Sequence, residues 1–140
     1  MTETTFTPLD GDAILAEHFA PWVRDLGLTV VETGESHAVL RLPWSQRLAR
    51  EGGGMSGQAL MAAADTATVI AVSAARGGWS QMTTVQQSIT FQRPVTGADV
   101  LIRATVGKLG RRLAFTDIRL VTDGSDDPVA HATTVYAFPG

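Results

Sequence analysis

A single carboxylate interrupts the most apolar stretch of this chain. Between Glu51 and Asp99 the only acidic residue is Asp65, set among alanines, threonines and valines. Burying a carboxylate is costly unless it is paired, hydrogen-bonded or protonated, and aspartate is a poor helix-interior residue. Alanine would have been the cheap choice at this position. The alternative reading, a second helix cap or a surface face, has no turn signal beside it. Unpaired desolvated carboxylates concentrate at active sites, so Asp65 reads as a functional group.

Helix geometry extends the point. Gln58 lies seven residues before Asp65, and seven steps of ~100° fall ~20° short of two full turns, so both face one way. Their axial separation is nevertheless about 10 Å at ~1.5 Å per residue. Free N–H groups at a helix start, here Ser56 to Gln58, form a natural site for an oxyanion or a phosphate. A reacting atom must sit within ~3 Å of each group that acts on it. One helix therefore cannot serve one reaction with both its start and Asp65. Two copies running antiparallel about a twofold axis solve the problem, and the expectation is a dimer with two composite sites.

The elements that would hold these groups are legible around them. Glycines at 52, 53, 54 and 57 lead into Ala59–Ala75, where eight alanines favour a helix. Ser56 offers a capping oxygen, Gly77-Gly78 ends the helix, and about 20 residues span roughly 30 Å. Apolar residues surround its axis, which marks a helix covered on most sides. Upstream, Asp12–Leu26 has a helical pattern that Pro21 should split or kink, with Gly27 as its stop. Leu28–Thr33 and Ala38–Pro43 read as strands, and Trp44–Arg50 stays ambiguous. Downstream the period becomes two: Met82–Phe91, Val100–Val106, Leu113–Val121 and Val129–Phe138 read as strands. Short connections favour antiparallel neighbours. The fold class expected is α+β, a long central helix wrapped by a five- or six-stranded antiparallel sheet.

Composition narrows the function classes. With 140 residues the chain suits one domain, 1–140, comprising an N-terminal helical segment 1–27 and a core 28–138. It has no Cys, so a thiol nucleophile and thiolate zinc sites are excluded. Fourteen acidic against 11 basic residues give a net charge of −3, which argues against coating nucleic acid. No His/Asp/Glu grouping has metal-ligand spacing. A membrane span needs ~20 mostly apolar residues without a central carboxylate, and no basic-then-apolar start marks a secretory signal. A soluble cytoplasmic protein is expected, with no membrane partner.

These residues carry a resemblance. The chain resembles the hotdog-fold acyl-coenzyme A thioesterases, in particular the phenylacetate-degradation (PaaI-like) branch. The family pattern is His-Gly-Gly, a helix, then Leu-Ala-Asp-Thr-Ala; Ser56-Gly57-Gln58 and Ala63-Ala64-Asp65-Thr66-Ala67 occupy those places. Thr84 to Pro94, with Phe91-Gln-Arg-Pro94 and then Gly97, resembles the family's next strand. The likeness covers roughly residues 28–138. It implies a homodimer, often a dimer of dimers, and a coenzyme A thioester as substrate, with no separate cofactor. It also implies that Asp65 is base or nucleophile, that the Gly57 N–H polarises the thioester carbonyl, and that Thr84 orients water. The sequence departs from the pattern in two places: Ser56 stands for the family His and Gln58 for its second Gly. A polar loop residue before the His has no evident match, although Arg50 stands nearby. Gln58 supplies either a replacement amide donor or a group that satisfies the helix start.

Other groups are weighed beside these. Lys108, Arg111 and Arg112 cluster at an expected hairpin, where they form either a solvated turn or a clamp for the nucleotide phosphates of coenzyme A. His18, His37 and His131 read as packing or surface histidines, and Trp22, Trp44 and Trp79 as core or interface fillers. The leading reading is hydrolysis of an aromatic or medium-chain acyl-coenzyme A. The alternative is a non-catalytic hotdog protein that binds acyl thioesters or lipids.

Overall fold

The computed structural model describes residues 5–139; the first four residues of the expected segment 1–27, and Gly140, lie outside it. The chain opens on helix α1 (Pro8–His18), four residues earlier than the apolar pattern indicates. The cause is a capping box. The Asp10 amide bonds the Thr7 hydroxyl at 3.4 Å, and the Thr7 amide donates to the Asp10 carboxylate at 2.7 Å, with Pro8 at the first helical position. A short turn of helix, α2 (Pro21–Arg24), follows, so Pro21 does split the segment. Gly11 sits so close to Val30 that an added Cβ would lie 2.8 Å from a Val30 methyl, which fixes α1 against the sheet.

Six strands follow among the described residues: β1 (Thr29–Thr33), β2 (His37–Leu42), β3 (Thr83–Phe91), β4 (Val100–Leu109), β5 (Leu113–Thr122) and β6 (Pro128–Ala137). They form one antiparallel sheet in the order β1-β2-β4-β5-β6-β3. The ambiguous stretch after β2 contains a single 3-10 turn, Gln46–Leu48, started by the Ser45 hydroxyl. Alternation decides the inner face of the sheet. Val100, Ile102, Ala104 and Val106 of β4 are buried, as are Ala114, Thr116, Ile118 and Leu120 of β5.

Helix α3 (Gly57–Arg76) lies across that inner face. Ser56 caps it, its hydroxyl accepting from the Ala59 amide at 3.2 Å. Gly77 closes it in the left-handed conformation, φ +82, with the Gly78 amide returning to the Ser73 carbonyl. By length and composition α3 could cross a membrane, yet its apolar surface is mostly covered by the protein itself. The covering has a gap. Gln58, Met61, Ala62 and Asp65, spaced as one helical face over the first turns, are exposed or half-buried, whereas the following residues through Ala74 are buried.

Strand β3 runs beside that gap as a sheet edge, pairing only with β6. Its register shifts between Thr84 and Gln86, leaving Val85 as the extra residue. An inserted residue exchanges the faces of a strand. Thr84 can therefore reach α3, and so can Gln87 and Phe91, although Thr84 and Phe91 would otherwise point to opposite sides.

Candidate active site

Asp65 is half-buried on the uncovered face of α3, and it is not the unpartnered carboxylate that the apolar surroundings suggest. The Thr84 hydroxyl donates to its Oδ1 at 2.9 Å, and the Tyr136 hydroxyl lies 2.6 Å from the same oxygen. Tyr136 Oη also lies 3.0 Å from the Asp65 backbone carbonyl. Thr84 and Tyr136 are opposite partners in the β3–β6 ladder, so the two hydroxyls arrive from one rung. Burial, then the neighbouring Asp65 charge, holds the Tyr136 phenol far above its ordinary range, and it stays protonated as a donor. The partners thus replace the lost hydration of the carboxylate, which is why a helix of this composition tolerates it.

Tyr136 was not evident from the sequence. Its signal is nonetheless there: it is the chain's one tyrosine, on the inward parity of β6 with Thr134 and Ala132. A buried phenol needs a polar partner.

The helix start is built differently. Its Ser56 hydroxyl is committed to the Ala59 amide, and the Leu60 amide closes on the Ser56 carbonyl. The amides of Gly57 and Gln58 form no hydrogen bond among the described residues, as expected in a first helical turn. Gly57 lies in a groove of about 390 Å³ with Arg50, Met55, Leu60, Phe91 and Val95. A Cβ on residue 57 would meet the ring of exposed Phe91 at 3.0 Å, so a side chain there must displace that ring slightly. Gln58 points into a separate hollow with Trp22, Ser45 and Arg47, and its side chain bonds nothing among the described residues. The Gln58 side chain thus makes no bond to the amides of the helix start, of which Ser56 satisfies that of Ala59.

Gly57 and Asp65 stand eight residues apart on one straight helix, about 12 Å by helical rise. Within one chain the two halves do not converge. Gln87 lies between them, its Nε2 donating to the Met61 carbonyl at 3.0 Å and tying β3 to the exposed face.

The basic cluster is grouped as its spacing suggests. Lys108 stands near the end of β4, and Arg111 and Arg112 form the turn into β5, all exposed. Leu113 then pairs with Ala137, which pairs with Thr83 across β6. The turn therefore sits beside the rung that carries Tyr136 and Thr84. The Arg112 carbonyl accepts from the Phe138 amide, and the Arg76 guanidinium lies 3.9 Å over the Phe138 ring. Arg76 thus joins this cationic end of the molecule, a member that its last-turn position in α3 could have signalled.

The remaining candidates are elsewhere. His18 stacks flat on Trp79 with ring centroids 3.7 Å apart. His37 bonds Glu32 at 2.7 Å and His131 bonds Asp117 at 3.0 Å, both away from Asp65. Trp44 packs on the core, but Trp22 and Trp79 are exposed and do not fill it. Among the described residues no group of three or more His, Asp or Glu could hold a metal.

A six-stranded antiparallel sheet packed on one long central helix is the hotdog fold. The model of the family described as "Thioesterase superfamily" matches residues 52–129, from the glycine loop into β6, and the chain belongs to that family. A solved structure from a Silicibacter species, provisionally named a thioesterase, is 32% identical, with a TM-score of 0.85 over 96% of this chain and 93% of that one. The phenylacetic acid degradation protein PaaI of Thermus thermophilus, solved as a mutant, is 27% identical with a TM-score of 0.75, covering 86% of this chain and 100% of that one. A protein of Thermoplasma acidophilum, provisionally named an esterase, is 26% identical over 115 residues, 82% of this chain and 86% of its own. The activity class that the family defines is thioester hydrolysis.

Proposed function

We propose that this chain hydrolyses acyl thioesters of coenzyme A, aromatic or of medium chain length, at sites shared between two protomers. The observation that carries the proposal is the position of Asp65: on the uncovered face of α3, with Oδ1 bonded to two hydroxyls. Among the described residues no hydrogen bond reaches Oδ2. In the general-base route Oδ2 takes a proton from water, whose oxygen adds to the thioester carbonyl carbon. The carbon–sulfur bond then breaks, and the proton passes from Asp65 to the departing thiolate. In the nucleophilic route Oδ2 itself adds to that carbon, and the carbon–sulfur bond breaks to expel the thiolate. Water then cleaves the resulting anhydride, releasing the acid and the free Asp65 carboxylate as the thiolate takes up the proton. Thr84 spends its proton on Asp65 and keeps lone pairs to accept from the attacking water.

The carbonyl oxygen needs a donor as its charge develops, and the amide of Gly57 is free for that role. In one chain it is too far from Asp65. A second protomer with its α3 antiparallel supplies it. The uncovered stripe Gln58, Met61, Ala62 and Asp65 supports this assembly, as does the adjacent free edge of β3 with Val85 and Phe91 exposed. Exposed Leu113 and Phe115 on the outer sheet face support a further pairing of dimers. Met55, Leu60, Phe91 and Val95 give the groove beside Gly57 an apolar wall for the acyl group. The cluster of Lys108, Arg111 and Arg112, with Arg76, suits the nucleotide phosphates.

One observation favours a second reading, a non-catalytic binder of acyl thioesters or lipids. Ser56 stands where the family carries His, and its hydroxyl is consumed by the helix cap. A panel of aromatic and medium-chain acyl-coenzyme A substrates with detection of free thiol separates the two. Turnover supports hydrolysis, and saturable binding without thiol release supports the binder.

A further inference from the structure

We propose that Tyr136 is a positioning residue for Asp65: with Thr84 it fixes Oδ1 and assigns Oδ2 as the reactive oxygen. The inference rests on the reading of Asp65 as the group that acts on the thioester. Two donors meet one oxygen, Thr84 at 2.9 Å and Tyr136 at 2.6 Å. A separation of about 2.5–2.7 Å is that of a charge-assisted O–H···O⁻ bond. A half-turn of the symmetric carboxylate only exchanges which oxygen is bonded, whereas any intermediate rotation loses both bonds. The two donors therefore fix the plane of the carboxylate, with one oxygen bonded and the other free. The strands are held, since Thr84 and Tyr136 share a rung and Tyr136 is 3% exposed within the core.

The surroundings leave this task to hydroxyls. Thr84 and Gln87 face the carboxylate's side of α3 from β3, and Tyr136 does so from β6. Among the described residues no Lys, Arg or His pairs with Asp65. No cation competes for the orientation of the carboxylate. A purely structural role for Tyr136 would be to satisfy the Asp65 backbone carbonyl, which its hydroxyl also approaches at 3.0 Å.

Tyr136→Phe keeps the ring and removes the hydroxyl. The expected result is a fall in kcat of about 10- to 100-fold, the scale of one hydrogen bond to a charged group, with KM within about twofold. The carboxyl carbon resonance of Asp65 at neutral pH, identified by its absence in Asp65→Asn, should move in Tyr136→Phe, because a hydrogen bond to the carboxylate is lost. Tyr136 is the chain's single tyrosine, so growth on 3-fluorotyrosine alters this hydroxyl alone and strengthens it as a donor. That protein should move the Asp65 resonance the opposite way, and it keeps the test available if Tyr136→Phe does not fold. An Asp65 resonance that is unmoved by either change overturns the proposal, whatever the activity. A wild-type protein that releases no thiol, yet shows the two opposite shifts, would overturn the thioesterase reading and leave the orientation of Asp65 standing.

Discussion

The two polar regions of α3 are finished to different degrees. At Asp65 the carboxylate has its donors within the chain: a threonine from the edge strand and a buried tyrosine from the next strand, both on one oxygen. At the helix start, the serine side chain satisfies the Ala59 amide and leaves those of Gly57 and Gln58 unbonded among the described residues. One region is an acid centre complete in a single chain. The other is a set of donors still lacking an acceptor. They lie on one straight helix about 12 Å apart, farther than any single reacting atom can bridge. On the proposed function the acceptor comes with the substrate, held between this helix start and the Asp65 of a second copy.

The comparison can be broken from either side. Asp65→Asn removes the charge and keeps the shape, and kcat should fall by at least about 100-fold, the scale of a lost general base. Near-wild-type turnover would remove Asp65 from the chemistry. Gly57→Pro attacks the other region by deleting one N–H. Proline is tolerated at the first helical position, and Ser56 at φ −65, ψ 145 already has the extended backbone that precedes proline. Only the Phe91 ring must yield. A loss of about 100- to 1,000-fold in kcat is expected for one oxyanion donor, with circular dichroism unchanged.

Smaller effects sharpen the picture. Arg111→Ala with Arg112→Ala should raise KM for coenzyme A thioesters several-fold and leave KM for the matching pantetheine thioesters unchanged, a difference that added salt shrinks. Equal effects on both substrates would return these residues to the solvated turn. The smallest change belongs to Ser56→Ala, which should cost about 1 kcal/mol of stability in denaturant unfolding, as the loss of a helix cap does. Its kcat should stay within a few-fold, since the hydroxyl is spent on the helix. A far larger loss of kcat would make Ser56 part of the chemistry.

The sequence carries much of this architecture because local patterns and tertiary packing agree over most of the chain. The alanine-rich stretch between Ser56 and Gly77 has good helix formers, a cap and a left-handed stop, and α3 obeys all three. β4 and β5 alternate cleanly because one face is core and the other is open. The start of α1 is less visible, since Thr7-Pro8-Leu9-Asp10 announces a helix through capping and not through apolar spacing. The bulge at Val85 is hidden for a different reason. A register shift belongs to the pairing of two strands, and no pattern within β3 alone reveals it.

The same distinction runs through the site. Asp65 stands out because its type conflicts with its neighbours, and Gly57 and Thr84 follow from the family resemblance. Tyr136 and Arg76 are placed by the sheet and by the end of the helix, from positions far off in sequence. The expectation of a desolvated, unpartnered Asp65 fails at this point. A partner 71 residues away is invisible to a reading of the helix by itself.

Mixing the two inactive variants tests the shared site most directly. Asp65→Asn and Gly57→Pro protomers, unfolded together and refolded at equal amounts, would form about half heterodimers, and each of these would hold one site with both groups intact. Composite sites predict recovery of about one quarter of wild-type turnover, the half of dimers that are mixed times the half of their sites that are whole. If each chain acts alone, the mixture will be as inactive as its two components, and that result would contradict the account.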